Sequence, residues 1–164
     1  MKDLFGKAIL DYQTNTSPEN MITSTSISDE DEMEVAYLFR SFAEMPTLEQ
    51  KALQLTKGRT LEVGCGAGSH GLYLQSERNI DVHSIDISEN AIAACILRGL
   101  KNTQVIDVLN IENEKYDTIL LLMNGTGIFE TLERTSIYLQ KLKSLLNPNG
   151  QILIDSSDII YMFD

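Results

Sequence analysis

Apolar positions in the later two thirds of the chain change their spacing in regular alternation. Short continuous apolar runs, which suit strands buried on both faces, alternate with segments whose apolar residues recur at helical spacing. The predicted strands cover 60–63, 80–85, 104–106, 116–123 and 151–155, and the predicted helices cover 69–76, 88–99 and 132–145. This alternation predicts an α/β fold, a doubly wound and mostly parallel sheet with right-handed crossovers.

The N-terminal residues follow a different pattern, which predicts a helical cap or lid over that core. We divide the chain into this cap segment, 1–58, and a core, 59–164, within a single domain. The pieces predicted for the cap are a helix over 1–12, a polar loop over 13–28, a helix that Ser28 caps and whose first turn is the acidic run 29–32, and a helix from Pro46 to Gly58.

Composition restricts the class of partner. The 164 residues carry a formal net charge of -11 without a cluster of Lys and Arg, so a nucleic-acid partner is disfavoured because such a surface repels phosphates. The longest aliphatic run, 119–123, is too short to cross a bilayer, and the first residues lack the apolar stretch of a signal peptide. Cys65 and Cys95 form neither a disulfide framework nor a metal-binding pattern. We therefore expect a cytoplasmic protein without a metal ion and without a membrane partner.

A glycine-rich turn follows the first predicted strand of the core. The segment 62–68 reads Glu-Val-Gly-Cys-Gly-Ala-Gly, and a helix follows at once. Gly64, Gly66 and Gly68 let the backbone approach a ligand closely because no Cβ intervenes. Cys65 is interpreted as a small residue accommodated in the turn. This arrangement predicts a nucleoside pocket.

Polar residues also stand at the ends of the next three predicted strands. Asp86 ends the second strand, Asp107 follows the third, and Met123 and Asn124 follow the fourth. In an open parallel sheet, ligands bind at the carboxyl ends of the strands where the strand order reverses. A carboxylate at the second strand end can hold the two ribose hydroxyls. Asp107 and Asn124 also have an ordinary explanation as loop or turn residues.

These features together resemble the class I S-adenosylmethionine-dependent methyltransferases of the small-molecule type, over residues 59–155. The segment 62–68 is similar to that family's acidic-x-Gly-x-Gly-x-Gly motif, and Asp86 is similar to its ribose-binding acid. The segments 116–119 and 145–150 resemble its motifs in the fourth strand and before the fifth.

The resemblance implies a Rossmann-like methyltransferase fold, S-adenosylmethionine as cofactor, and methyl transfer to a small-molecule acceptor. Positioning and desolvation supply most of such catalysis, so no catalytic side chain is assigned. The residues expected to bind the cofactor are Glu62, Gly64, Cys65, Gly66, Gly68, Asp86, Ile87, Asp107, Val108, Met123 and Asn124 in the core, and Tyr37 and Arg40 in the cap.

The resemblance also suggests individual roles. Glu62 suits the cofactor's ammonium, directly or through water, and Asp107 stands where the family places the acid that accepts from the adenine amino group. Arg40 suits a bidentate contact with the cofactor carboxylate, and a salt bridge with a nearby Glu on its own helix is the alternative. His70 has two interpretations, local packing or a role beside the cofactor.

Two other functions are compatible with parts of the pattern. Residues 66–71 fit the GxGxxG fingerprint of a nicotinamide-dependent oxidoreductase, with Asp86 near the expected spacing. That fingerprint would begin three residues after Val63 rather than at the strand end, and Glu62 would face a pyrophosphate. The other alternative is a cofactor-binding module without catalysis.

The end of the sequence departs from the seven-stranded pattern of the family. Residues 156–164 are too few for the last antiparallel pair of strands, so we expect a sheet that is shortened at its C-terminal side. Its exposed edge and apolar face would favour a homodimer.

Overall fold

The computed structural model describes residues 3–16, 19–24, 30–158 and 160. The helices in this part of the chain are α1 (Leu4–Thr14), α2 (Thr47–Leu55), α3 (Ser69–Ser76), α4 (Glu89–Leu97) and α5 (Leu132–Ser144). The strands are β1 (Met21–Thr23), β2 (Asp31–Met33), β3 (Thr60–Val63), β4 (Val82–Asp86), β5 (Thr103–Val105), β6 (Tyr116–Leu121) and β7 (Leu146–Ile154). Short 3-10 helices cover Val35–Phe39, Phe42–Glu44, Val108–Asn110 and Gly125–Phe129.

The core is a five-stranded parallel sheet with the order β5-β4-β3-β6-β7. The chain moves from β3 to β4 and β5 on one side, and then returns to add β6 and β7 on the other. The strand order therefore reverses between β3 and β6, which opens a crevice at the carboxyl ends of these strands. The predicted doubly wound α/β fold is confirmed.

Alternating side chains of β3 divide the core into two halves. Leu61 and Val63 pack with α5 through Tyr138 and Leu142. The opposite face of the sheet is covered by α2 and α3, where buried apolar side chains of both helices meet Leu120 of β6. Since successive strand residues point to opposite faces, Glu62 must point toward the α3 side.

Local signals explain the boundaries of α4. The Ser88 side chain accepts a hydrogen bond from the Ala91 amide at 2.9 Å, and Gly99 follows the helix with φ +94. Both positions are the expected ones for an N-cap and a terminating glycine. The predicted segment 88–99 is therefore confirmed apart from its last residues.

The last strand begins earlier than its apolar run indicates. β7 starts at Leu146, which pairs with Tyr116, although the sequence predicts a strand only from 151. The register shifts before Gln151 pairs with Thr118, and Asn149 has φ 64. The Asn-Pro-Asn-Gly segment is thus an irregularity within an edge strand, where missing backbone donors are tolerated.

The cap differs from the prediction at its acidic run. Residues 31–33 form β2, which pairs antiparallel with β1, and the 3-10 helix Val35–Phe39 follows. The predicted helix with the acidic run as its first turn is therefore wrong. Pairing with β1 leaves the acidic side chains exposed, while Val35 and Leu38 still become buried. The predicted N-cap Ser28 and the acid Asp29 lie outside the described residues.

Among the described residues, every helix is too short or too polar to traverse a lipid bilayer. The cytoplasmic location stays a prediction from the sequence.

Candidate functional site

The glycine turn after β3 has the left-handed backbone that its composition predicts. Gly64, Gly66 and Gly68 have φ of +72, +52 and +77, and the amides of Gly64 and Cys65 both donate to the Ile85 carbonyl, at 2.9 and 3.0 Å. A Cβ at Gly68 would lie 2.8 Å from the Cys95 Sγ, whereas the nearest atom to a Cβ at Gly66 is 4.0 Å away. Gly68 thus packs against α4, and Gly66 borders open space.

Asp86 connects this turn to the end of β4. Its carboxylate accepts from the Gly66 amide and from the Ser88 amide, each at 2.9 Å. Asp107 lies at the end of the neighbouring strand and accepts from the Leu109 amide at 2.8 Å. A carboxylate oxygen has two lone pairs, so both side chains keep acceptor capacity for a ligand.

Both acids line one cavity of about 230 Å³, which we call the acid-lined cavity. Its walls are mainly apolar, and the two carboxylates stand at neighbouring strand ends. The lining residues are Val63, Gly64, Ile85, Asp86, Ile87, Ile106, Asp107, Val108, Gly127, Ile128, Glu130 and Tyr138.

Seven of these residues were not predicted as site residues, namely Val63, Ile85, Ile106, Gly127, Ile128, Glu130 and Tyr138. Ile106 ends a predicted strand and Tyr138 stands within a predicted helix, so a search of strand ends and helix faces could have found them. Ile128 and Glu130 come from the loop after β6, and Glu130 has φ 62. No sequence pattern locates such loop residues in space.

A second cavity of about 260 Å³, the Arg40 cavity, lies on the other side of the same turn. Gly64 lines both cavities, so a single peptide segment separates them. The lining residues are Phe5, Met33, Leu38, Arg40, Gly64, Cys65, Gly66, Ala67, Ser69, His70, Leu122 and Met123.

Arg40 is 7% exposed and already has partners. Its guanidinium forms a salt bridge with Glu49 of α2 and donates to the Tyr37 carbonyl at 2.6 Å, with Cζ 4.0 Å from the centre of the Tyr37 ring. Its Nε is buried without a hydrogen-bond partner among the described residues. Arg40 therefore both forms the salt bridge that was the alternative prediction, although with a Glu on another helix, and contributes to a cavity wall.

A chain of buried polar groups runs from Glu49 beneath the turn. His70 Nε2 lies 2.8 Å from Glu49 Oε2, and His70 Nδ1 lies 3.7 Å from Glu62 Oε1. Burial raises the pKa of Glu49, but hydrogen bonds from His70 and Arg40 outweigh it and leave this pKa below its usual value. His70 thus has a packing role and also lines the Arg40 cavity.

Glu62 lies behind the turn and lines neither cavity. It is 2% exposed, accepts from Ser84 Oγ at 2.6 Å, and has Oε1 without a partner among the described residues. Gly71 of α3 packs on it, since a Cβ there would lie 2.4 Å from Glu62 Oε2. Burial raises the pKa of Glu62 above its usual value. Its direct contact with a ligand's ammonium stays a prediction without support from this geometry.

A third cavity of about 320 Å³, the outer cavity, contains other predicted residues. Met123 lines both this cavity and the Arg40 cavity, and it is followed by Asn124; their φ angles are 62 and 63. Asp155 supports this bend by accepting from the amides of Met123 and Gly125, at 3.0 and 2.8 Å. The lining residues are Tyr37, Pro46, Leu48, Glu49, Met123, Asn124, Asp155, Ser156 and Ser157.

The two cysteines are neighbours inside the core. Cys65 Sγ lies 3.8 Å from Cys95 Sγ, and both thiols are free and buried. The hydrogen bond with Cys95 and burial raise the pKa of the Cys65 thiol, which disfavours a reactive thiolate. The interpretation of Cys65 as a small residue packed in the turn agrees with this environment.

Comparison with known proteins agrees with the fold. A family model described as a methyltransferase domain matches residues 55–163. A SAM-dependent methyltransferase from Bacteroides fragilis, solved in complex with S-adenosyl-L-homocysteine, is similar to this chain with 41% identity and a TM-score of 0.90. That similarity covers 96% of this chain and 66% of the other.

More distant similarities point the same way. Phosphoethanolamine N-methyltransferase 3 from Arabidopsis thaliana is 26% identical over 100 residues, which is 58% of this chain and 20% of that protein. The sugar N-methyltransferase KedS8 from Streptoalloteichus shares the fold, with 18% identity, a TM-score of 0.61, and coverage of 84% of this chain and 59% of the other. The chain spans about two thirds of the Bacteroides structure and a fifth of the Arabidopsis protein.

Proposed function

This chain belongs to the methyltransferase domain family, and we propose that it binds S-adenosylmethionine and transfers the methyl group to a small-molecule acceptor. The observation that supports this most directly is the pair of cavities that share Gly64. One cavity is mainly apolar and is lined by the carboxylates of Asp86, Asp107 and Glu130, and the other has the Arg40 guanidinium in its wall, which suits the two chemically different ends of this cofactor. The cofactor-bound Bacteroides relative supports the same assignment.

The nucleoside end suits the acid-lined cavity. Asp86 stands at the tip of β4 with acceptor capacity for two ribose hydroxyls, and Asp107 can accept from the adenine amino group. Ile87 and Val108 belong to the same wall and offer apolar surface to the faces of the base. Glu130 and Tyr138 complete this cavity on the α5 side.

The methionine end suits the Arg40 cavity. Arg40 Nε is a buried donor without a partner among the described residues, and a carboxylate would satisfy it. The backbone at Met123 lies in the same wall and can accept from the ligand's ammonium. Because Gly64 and Gly66 lack a Cβ, the part of the ligand between its nucleoside end and its methionine end can approach the backbone closely.

The chemistry requires little from the side chains beyond positioning. When bound, S-adenosylmethionine supplies an electrophilic methyl group on a positively charged sulfur. The residues of this chain orient the ligand across Gly64 and exclude water with the cap, and these effects reduce the barrier without a nucleophilic side chain. No residue is assigned to covalent catalysis.

Calorimetric titration of the protein with S-adenosylmethionine, S-adenosylhomocysteine and NADH tests the cofactor. We expect the two sulfur ligands to bind and NADH to produce no saturable heat. Binding of NADH alone would overturn the proposal in favour of an oxidoreductase. Cofactor binding without methyl transfer to any of a broad set of amines, alcohols and thiols would favour a binding module.

We also propose a homodimer through the open edge of the sheet. Among the described residues, β7 pairs only with β6, and its other edge carries backbone donors and acceptors without a neighbouring strand. An apolar side chain near its end, Ile154, is 37% exposed.

A further inference from the structure

The outer cavity has a buried carboxylate in its wall. Glu49 is 5% exposed and lines this cavity, and its two recorded partners, Arg40 and His70, both bind Oε2. Among the described residues, Oε1 of Glu49 has no hydrogen-bond partner. The two donors on Oε2 hold the carboxylate in place, which leaves the second oxygen available for a donor in the cavity.

Among the described residues, the charged side chains that line the outer cavity are acidic. In the part of the chain that the structure describes, its wall contains Glu49 and Asp155 and neither Lys nor Arg. Each oxygen of Asp155 already accepts one backbone amide, whereas only one oxygen of Glu49 has donors, so Glu49 has the more open acceptor for a ligand. A phosphate or carboxylate in this cavity would meet the open oxygen of Glu49, because Arg40, the cation that pairs with Glu49, binds Oε2 and does not line this cavity. Such a contact is unfavourable in a partly buried site.

The position of the outer cavity suits the second substrate. Met123 lines both this cavity and the Arg40 cavity, so their contents would be neighbours. The volume of about 320 Å³ lies within the range of small-molecule sites, about 300–1,000 Å³. Leu48 and Tyr37 add exposed apolar surface to the wall.

We propose that the outer cavity is the acceptor site, and that it binds a small primary or secondary amine whose ammonium form pairs with Glu49. The ammonium would lose one proton to solvent before transfer, and the free nitrogen lone pair would then form the N–C bond as the cofactor's S–C bond to the methyl group breaks, which leaves S-adenosylhomocysteine. This inference rests on the proposed methyltransferase function and narrows its acceptor class. The same charges disfavour phosphorylated and carboxylate-bearing acceptors. Arg40 and His70 are positioning residues here because they orient Glu49.

The test uses n-butylammonium, with 1-butanol and butyrate as the neutral and anionic analogues. Protein labelled with [¹³C-methyl]methionine is saturated with S-adenosylhomocysteine and titrated with each compound, and the Met123 methyl resonance reports on the outer cavity. We expect a saturable shift with n-butylammonium and none with butyrate. In this experiment on the unmodified protein, either the absence of a shift with n-butylammonium or an equal shift with butyrate would overturn the proposal.

Variants then test the role of Glu49. Glu49→Gln should raise the n-butylammonium dissociation constant at least about tenfold, as expected for the loss of a charge-assisted hydrogen bond, and Glu49→Asp should restore part of the affinity. Glu34→Gln makes the same charge change at an exposed position of the cap and should leave the constant unchanged. Equal affinity of the Glu49→Gln variant and the unmodified protein would contradict the assignment.

Calorimetry of S-adenosylhomocysteine on the same samples separates the two proposals. If the unmodified protein does not bind this compound, the proposed function fails. If the protein binds S-adenosylhomocysteine but the Met123 resonance does not shift with n-butylammonium, only the acceptor assignment fails.

Discussion

Two acids near neighbouring strand ends, Asp86 and Glu62, have opposite environments. Asp86 borders a cavity and accepts from two backbone amides, while Glu62 is 2% exposed and faces Ser84, His70 and Gly71. The first carboxylate lies where the proposed function needs a ligand contact, and the second is packed at the junction between β3 and α3. Substitutions at these positions should therefore have different effects.

Asp86→Asn should weaken cofactor binding while the fold is retained. The amide keeps one oxygen acceptor but loses the charge that strengthens bonds to two ribose hydroxyls, so we expect the S-adenosylhomocysteine dissociation constant to rise by about tenfold or more. Asp81→Asn makes the same change just before the other end of β4 and serves as the control. Equal constants for the two variants, measured by calorimetry, would remove Asp86 from the site.

Glu62→Gln should change stability in a pH-dependent way. Burial raises the folded-state pKa of Glu62 above that of an unfolded glutamate, so ionisation destabilises the folded protein as pH rises through this raised pKa. The amide cannot ionise, and the variant should therefore unfold at a higher temperature than the unmodified protein near neutral pH. This advantage should disappear as pH falls toward about 4, the usual pKa of a glutamate. Thermal unfolding at a series of pH values measures it, and a difference independent of pH would contradict the explanation.

At the scale of elements, the sequence predicts helices and strands correctly where hydrophobic periodicity determines them. It does not predict them where tertiary contacts determine the structure. Strands β3 and β6 and the caps of α4 follow from apolar runs and cap residues. Residues 31–33 have a pattern that suits a helix start, yet pairing with β1 overrides it. Alternation along β3 already implies that Glu62 faces away from Leu61, but the packing of Gly71 upon it depends on the folded chain.

The salt bridge between Arg40 and Glu49 joins the 3-10 helix of the cap to α2. Arg40→Ala leaves Glu49 buried without its cationic partner, and we expect a loss of about 3 kcal/mol in the free energy of unfolding together with weaker binding of S-adenosylhomocysteine. Lys7→Ala removes an exposed pair with Asp11 in α1 and should cost at most about 1 kcal/mol. Urea unfolding compares the variants. An unchanged dissociation constant for Arg40→Ala would place Arg40 outside the cofactor site.

The start of α3 depends on the close approach of Gly68 to α4. Gly68→Ala and Gly99→Ala both place a side chain on a left-handed backbone, at φ +77 and +94, but only the first brings a Cβ within 2.8 Å of Cys95 Sγ. The second has no atom within 4 Å. We expect Gly68→Ala to lose at least about 1 kcal/mol more unfolding free energy than Gly99→Ala, because of this overlap. Equal losses in urea unfolding would show that backbone strain alone matters at both positions.

At the scale of the whole molecule, the proposed homodimer depends on the open side of the sheet. β7 is an edge strand, and a net charge of -11 opposes non-specific association. Strand pairing favours association, and repulsion between like-charged chains opposes it. Salt screens the repulsion but leaves the short-ranged strand pairing in place. A dimer through this edge should therefore form more readily as salt increases.

Sedimentation velocity at low and high salt, over a wide range of protein concentration, measures this association. We expect a reversible dimer that is favoured by added salt. A monomer at every concentration and salt level would contradict the edge-pairing proposal. A dimer that dissociates when salt is added would indicate an interface held by opposite charges instead of paired strands.

The acid-lined cavity and the Arg40 cavity share the lining residue Gly64. Under the proposed function, adenosine and methionine offered as separate fragments would occupy these two adjacent cavities. A covalent link between the fragments makes the second contact intramolecular, so the joined ligand benefits from effective concentration without any additional contact. The length of the linker between the two fragments then affects selectivity. A linker too short or too long to span Gly64 would lose the benefit of effective concentration.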